Sequence, residues 1–189
     1  MGRPIVARMT TYAALLRGIN VGGGKKLPMA GLRALLEGLG HREVRTYLQS
    51  GNAVFRSEEQ DTGALAAELG RAVAREYGFA VECLVRDHGY LRAVAEGCPF
   101  PAERLEGRQL HATYYAEPVE ESRFAALDPA QFLPEEFRLG DRVLYLYAPE
   151  GLGRSKLAPA LARPAFTRGL VATTRNWNTV LKLVELTEE

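Results

Sequence analysis

The sequence predicts an α+β fold made of two β-α-β-β-α-β halves with antiparallel sheets, followed by a C-terminal helix. Three observations predict it. Strand-like apolar runs alternate with helical apolar stripes in that order, the order recurs after the breaker GCPFPAE (97–103), and a last stripe at Trp177, Val180, Leu181 and Val184 has the i, i+3, i+4, i+7 spacing of one helix face. With 189 residues, 47% of them hydrophobic and 25% charged, the chain is long enough to bury the core of one large domain or two small ones.

Residues 11–17 (TYAALLR) read as a buried strand, and the glycine-rich loop GINVGGGKKL follows. Pro28 suits the start of a helix, where a missing N–H costs nothing; Met29, Leu32, Leu35, Leu36 and Leu39 form its apolar stripe, which stops at Gly38–Gly40. Strands over 44–48 and 53–56 flank the turn QSGN (49–52). Asp61 can cap a second helix reaching residue 77, with Leu65, Leu69, Ala72 and Val73 inward, and 79–85 is a further strand. After a short helix at 90–95, the second half reads as a strand at 109–115, a helix at 119–127, and a hairpin of 137–139 with 143–147 around Gly140-Asp141. A short helix at 156–161, a strand at 170–173 and the terminal helix from 176 to 186 complete it. This order is that of tandem ferredoxin-like halves, 10–96 and 97–189, the second carrying the terminal helix; a single mixed sheet is the alternative.

No apolar run approaches the roughly 18 residues of a membrane helix, and the N-terminus lacks a sustained apolar segment with a small-residue cleavage site. Val6 breaks the myristoylation pattern. The expectation is a cytoplasmic protein with no membrane partner. Cys83, Cys98, His41, His88 and His111 are scattered without ligand spacing, so neither a metal nor a cofactor is expected, and both cysteines read as small buried apolar residues.

The net charge of +1 hides a segregation. Residues 1–36 and 151–184 each carry six basic and no acidic residues, and residues 37–150 carry a net charge of −8. All four lysines, against twenty arginines, lie in the two acid-free segments. If the fold joins these segments they make a positive surface for an anionic partner; otherwise each pairs with carboxylates of the middle region.

Four loops carry the candidate chemistry. Gly18–Leu27 resembles a phosphate cradle in kind, with glycines that free backbone N–H groups, Arg17, Asn20 and Lys25 beside them, and a helix N-terminus to follow. It matches neither GxxxxGK[ST], because of Ile19 and Lys26, nor GxGxxG, because of Leu27. Gln49, Ser50, Gly51 and Asn52 form the turn; Ser50 lacks a GxSxG context and a histidine base, which excludes a hydrolase nucleophile. GLGRSK (151–156) again sets glycines, Ser155, Arg154 and Lys156 ahead of a helix. ATTRNWNT (172–179) combines Trp177, a core residue, with Thr174 or Asn176 as a cap and Arg175 and Asn178 left over at a helix N-terminus.

LLRGINVGG, LPMAGLRALLEGLG, TYLQSGNAVF, GLGRSK and TTRNWNTVLKL together resemble the signature stretches of the bacterial family called domain of unknown function 1697, from Tyr12 to Leu183. The resemblance implies tandem ferredoxin-like halves and no particular activity. It sets the family's polar positions at Arg17, Asn20, Gln49, Ser50, Asn52, Ser155, Lys156, Arg175, Asn176 and Asn178, and leaves MGRPIVAR as an extension, read as a disordered tail. Three functions follow from these readings. The first is a binding protein for a phosphate-bearing ligand or nucleic acid, without the stacking aromatics of an RNA-recognition sheet. The second is an enzyme on a small phosphorylated substrate, stabilised by Lys25, Lys156 or Arg175, although no catalytic motif is identifiable. The third is a structural or interaction protein whose polar motifs cap and cross-link the half-domains. Oligomeric state is not legible in the sequence.

Overall fold

The structure, a computed structural model, describes residues 8–188. The expectation for the MGRPIVAR tail falls almost wholly outside them. The described chain divides into two compact units, residues 8–88 with 186–188 and residues 89–185. It is a mixed α+β protein with two four-stranded antiparallel sheets and a C-terminal helix.

In the first unit β1 (Thr10–Leu16) leads through the glycine loop to α1 (Met29–Gly38), then β2 (Arg42–Tyr47), β3 (Asn52–Ser57), α2 (Thr62–Tyr77) and β4 (Cys83–Asp87). The strand order is β2-β3-β1-β4, with β1 between β3 and β4 and antiparallel to both. Period-2 alternation turns Tyr12, Ala14 and Leu16 of β1 and Ala53 and Phe55 of β3 onto one face. There they pack with Leu32 and Leu36 of α1 and Leu65, Leu69 and Val73 of α2. Asp61 caps α2 as expected, accepting from the amides of Gly63 and Ala64, and Gly78 ends it in the left-handed region at φ 75°. The strand expected at 79–85 runs instead from Cys83 to Asp87, because its partner β1 ends at Leu16, opposite Cys83.

After α3 (His88–Glu96), β5 (Leu110–Tyr115), β6 (Glu136–Gly140), β7 (Val143–Tyr147), α4 (Leu157–Leu161), α5 (Pro164–Thr167), β8 (Ala172–Asn176) and α6 (Trp177–Thr187) follow. The second sheet runs β6-β7-β5-β8. Tyr115, Leu144 and Leu146 face Phe124, Leu127, Leu157, Leu161 and Phe166 in its core.

Three expectations are corrected here. The helix expected at 119–127 is replaced by 3₁₀ turns at Glu121–Phe124 and Pro129–Phe132; Pro129 disfavours a helical Asp128, whose carboxylate instead accepts from the Ala130 amide and starts a new turn. The strand expected at 170–173 runs to Asn176, since pairing with β5 continues to His111. On α6 the buried arc is rotated, with Leu183 buried and Leu181 49% exposed, because Trp177 reaches Tyr145 from the edge of the arc, ring centroids 6.3 Å apart.

Candidate functional site

The glycine loop is built from its ends inward. Leu16 and Arg17 continue the β1 pairing through their amides, which donate to Gly51 O and Glu82 O at 2.9 Å each. The chain then turns on Gly18 and on Asn20, a non-glycine residue at φ 56°, a conformation asparagine tolerates better than most side chains. The Asn20 carboxamide explains why. Its Nδ2 donates to Leu27 O and to Gln49 O at 2.8 Å each, and its Oδ1 accepts from Leu27 N at 2.9 Å. Asn20 therefore closes the loop on itself and ties it to the β2–β3 turn, across 29 residues of sequence.

That turn is held just as firmly. Asn52, fully buried, donates from Nδ2 to Tyr47 O at 2.9 Å and to Ser50 Oγ at 3.2 Å. Gly51, at φ 88°, packs so close to Ile19 that a Cβ there would sit 2.8 Å from its Cδ1, so no other residue fits without displacement.

What the loop presents is different from what holds it. Gly22 and Gly23 are left-handed at φ 63° and 74°. Among the described residues, the backbone amides of Gly22, Gly23, Lys25 and Lys26 donate to no protein acceptor, and neither lysine has a carboxylate within ion-pair distance. The next helix, α1, opens at Pro28 with no side-chain cap and no acid in its first turn. Asn20, Gly23, Gly24, Lys26, Pro28 and Gln49 line a cavity of about 420 Å³ here. Lys26 is a lining residue that sequence reasoning passed over in favour of Lys25; its position directly before the α1 start was the available signal. Arg17 is turned to Glu82, Nη1 to Oε2 2.8 Å, with both side chains about half exposed.

The second unit treats its predicted residues differently. At the start of α4, Ser155 Oγ and the Lys156 amide both meet the Glu135 carboxylate, the latter at 2.9 Å, and Ser155 Oγ also accepts from the Ala158 amide at 2.8 Å. The protein's own carboxylate thus occupies the place where the loop would face an anion. Nothing near Ser155 in the sequence announces Glu135, twenty residues earlier. Arg175 is in β8, paired with Ala112, and is only 7% exposed. It donates to Thr173 Oγ1 at 2.7 Å and Thr174 O at 2.9 Å. Burial pulls the guanidinium down to about 10, partly offset by Tyr114. Asn176 caps α6, its Oδ1 accepting from Thr179 N at 3.0 Å. Asn178 lies against Gly107, where a Cβ would come within 2.2 Å of its Oδ1.

The polar positions are divided between the two units. In the first, Asn20 is tied to Gln49 and Ser50 to Asn52. In the second, Ser155 and Lys156 meet Glu135 ahead of α4, while Arg175 and Asn176 end β8. Among the described residues no group of three or more His, Cys, Asp or Glu side chains is placed to hold a metal ion, and no helix is long and apolar enough to cross a membrane.

The model of the family described as "Protein of unknown function (DUF1697)" matches residues 9–145, which hold the glycine loop, the QSGN turn and the second sheet through β6. The chain belongs to this family. The solved structure of the conserved bacterial protein SP0830 from Streptococcus pneumoniae is similar at 27% identity and a TM-score of 0.74, over 96% of this chain and 100% of that one. A search of the curated proteins found no match. The matched span carries the glycine loop and the QSGN turn, while GLGRSK and ATTRNWNT lie beyond it.

Proposed function

We propose that this protein binds the phosphate group of an anionic ligand at the glycine loop between β1 and α1. One observation carries the reading: Asn20 holds the loop from behind, while the amides of Gly22, Gly23, Lys25 and Lys26 and both lysine side chains have no protein partner among the described residues. A rigid loop with uncommitted donors meets an anion at little ordering cost. Gly22 and Gly23, both at positive φ, let the backbone turn tightly ahead of α1, and the uncapped α1 N-terminus adds partial positive charge. The cavity volume lies in the range of roughly 300–1,000 Å³ typical of small-molecule sites, which favours a small phosphorylated ligand over a nucleic-acid backbone. In this reading Lys25, Lys26 and Gln49 meet the ligand, and Asn20, Ser50 and Asn52 position the loops. Arg17, held by an exposed ion pair worth little, is free to swing toward it.

For Ser155, Arg175 and Asn176 the hydrogen bonds favour the structural reading: each is spent on an internal carboxylate, hydroxyl or amide. The repeated strand order supports reading 10–96 and 97–189 as ferredoxin-like halves.

The test is thermal stability of the full chain with nucleotides, sugar phosphates and short RNA, for the native protein and for the double variant Lys25→Ala, Lys26→Ala. A ligand-dependent rise in Tm that the double variant loses, with its own Tm unchanged, is expected. The same rise should persist in Arg175→Ala. A native protein whose Tm answers to none of these ligands would sink the reading.

A further inference from the structure

The first unit holds a second cavity, of about 450 Å³, where the end of α1, β2, the end of β3 and α2 meet. Its wall includes His41, Arg42, Ser57, Glu58, Glu68 and Arg71, none of them used by the glycine loop.

His41 is the built element. Its side chain is only 7% exposed, and its ring lies 4.6 Å from that of Phe55, which is in the core. Nε2 is 3.6 Å from Glu68 Oε2, just beyond hydrogen-bond range, and no other hydrogen bond to the ring forms among the described residues. Burial lowers the imidazole pKa more than Glu68 raises it, so the ring is neutral at pH 7 and offers one donor and one acceptor. Ser57, 6% exposed, accepts from the Glu59 amide at 3.1 Å and has its own proton to give.

The charges around this ring are the decisive feature. Arg42, Arg71 and Glu58 line one cavity, yet none has an oppositely charged partner within 4.0 Å among the described residues. Opposite charges that share a cavity without pairing leave room for a molecule carrying both signs. A simple anion would meet the carboxylates and a simple cation the guanidiniums.

We propose that this cavity is a second ligand site, for a small zwitterion of the amino-acid type, with its carboxylate at Arg42 and Arg71, its ammonium at Glu58 and Glu68, and His41 and Ser57 as neutral hydrogen-bonding partners. Arginine suits the carboxylate end because its planar fork matches two oxygens. The site is independent of the glycine loop and stands or falls without it.

The experiment is an NMR titration of the full chain, following the His41 ring protons, with the twenty free L-amino acids, and with acetate and ethylamine as single-charge controls. At least one amino acid is expected to give a saturable shift that neither control reproduces. Arg71→Ala and Glu68→Gln should each weaken it about tenfold, the loss of one charge-assisted hydrogen bond, and the Lys25→Ala, Lys26→Ala variant should leave it unchanged. The absence of a saturable shift, equal binding of acetate, or full affinity in either cavity variant would overturn the proposal.

Discussion

The two halves run through the same strand order and bury an arginine at the same point of it. Arg86 of β4 pairs with Ala13 and Arg175 of β8 with Ala112; each is followed by one polar residue and then a helix, α3 or α6. Both arginines are more than nine-tenths buried. The halves part company in the loop after their first strand. In the first half that loop holds four glycines and two lysines between residues 18 and 26; in the second it holds Glu117, Glu120 and Glu121. The first leads into a ten-residue helix, the second into 3₁₀ turns. Even the later helix differs: α2 is capped by the adjacent Asp61, α4 by Ser155 and the distant Glu135. One topology, used twice, sets where loops emerge, and loop composition differs between the two: glycines and lysines ahead of a helix in one half, glutamates ahead of 3₁₀ turns in the other.

The largest expected break in this symmetry is Trp177→Ala. The ring is 4% exposed against Tyr145, and its loss should cost about 3–5 kcal/mol. Urea unfolding followed by circular dichroism checks this; if the halves unfold separately, only the second transition moves. Next is Arg175→Ala, expected to lower stability by about 1–3 kcal/mol through the hydrogen bonds to Thr173 and Thr174. Native-like stability of that variant would show that the buried arginine is dispensable. Smaller again are the two caps: Asp61→Ala and Glu135→Ala should each cost about 0.5–2 kcal/mol, in different halves, and hydrogen exchange should show faster opening of α2 in one and of α4 in the other.

The last prediction concerns acid. His41 and His111 both have pKa values lowered by burial, but Glu68 opposes the shift at His41 while burial alone acts on His111, 6% exposed with no hydrogen bond to its Nδ1 among the described residues. A lowered folded pKa means that the unfolded chain takes up protons first as pH falls below about 6.5, so the stability present above that pH is lost on acidification toward the folded value. Comparing Tm at neutral and mildly acidic pH for the native protein, His41→Phe and His111→Phe should show the larger relief of acid sensitivity in the His111 variant. Equal relief would mean that Glu68 does not offset the burial of His41.

Much of the site was legible in part. The loop Gly18–Leu27, the turn at Gln49–Asn52 and the lysines announced themselves as glycine, turn and charge patterns, which are local signals. The division of labour among them was not. Asn20 looks like a ligand contact in the sequence and is a clamp in the fold, because its partners include Gln49, 29 residues away. Arg175 looks like a cation at a helix N-terminus, but strand pairing carries β8 three residues further, to Asn176, and turns the side chain into the interior.

By itself the sequence determined neither the 3₁₀ turns at 121–132 nor α5, but it did determine the order of the strands, the helices α1, α2 and α6, the inward faces of α1 and α2, the Asp61 cap and the place of the glycine loop. Each depends on interactions within a few residues: period-2 and period-3.6 burial, φ preferences and capping. Tertiary structure alone decided that Glu135 closes the α4 loop, that Asn20 ties two loops together, that Leu183 and not Leu181 is buried, and that Arg42, Arg71 and Glu58 share a cavity without pairing. Those outcomes depend on register and packing between segments far apart in the chain. A hydrogen bond or ion pair forms only where folding brings its two groups within about 3 or 4 Å, and no local pattern encodes that distance.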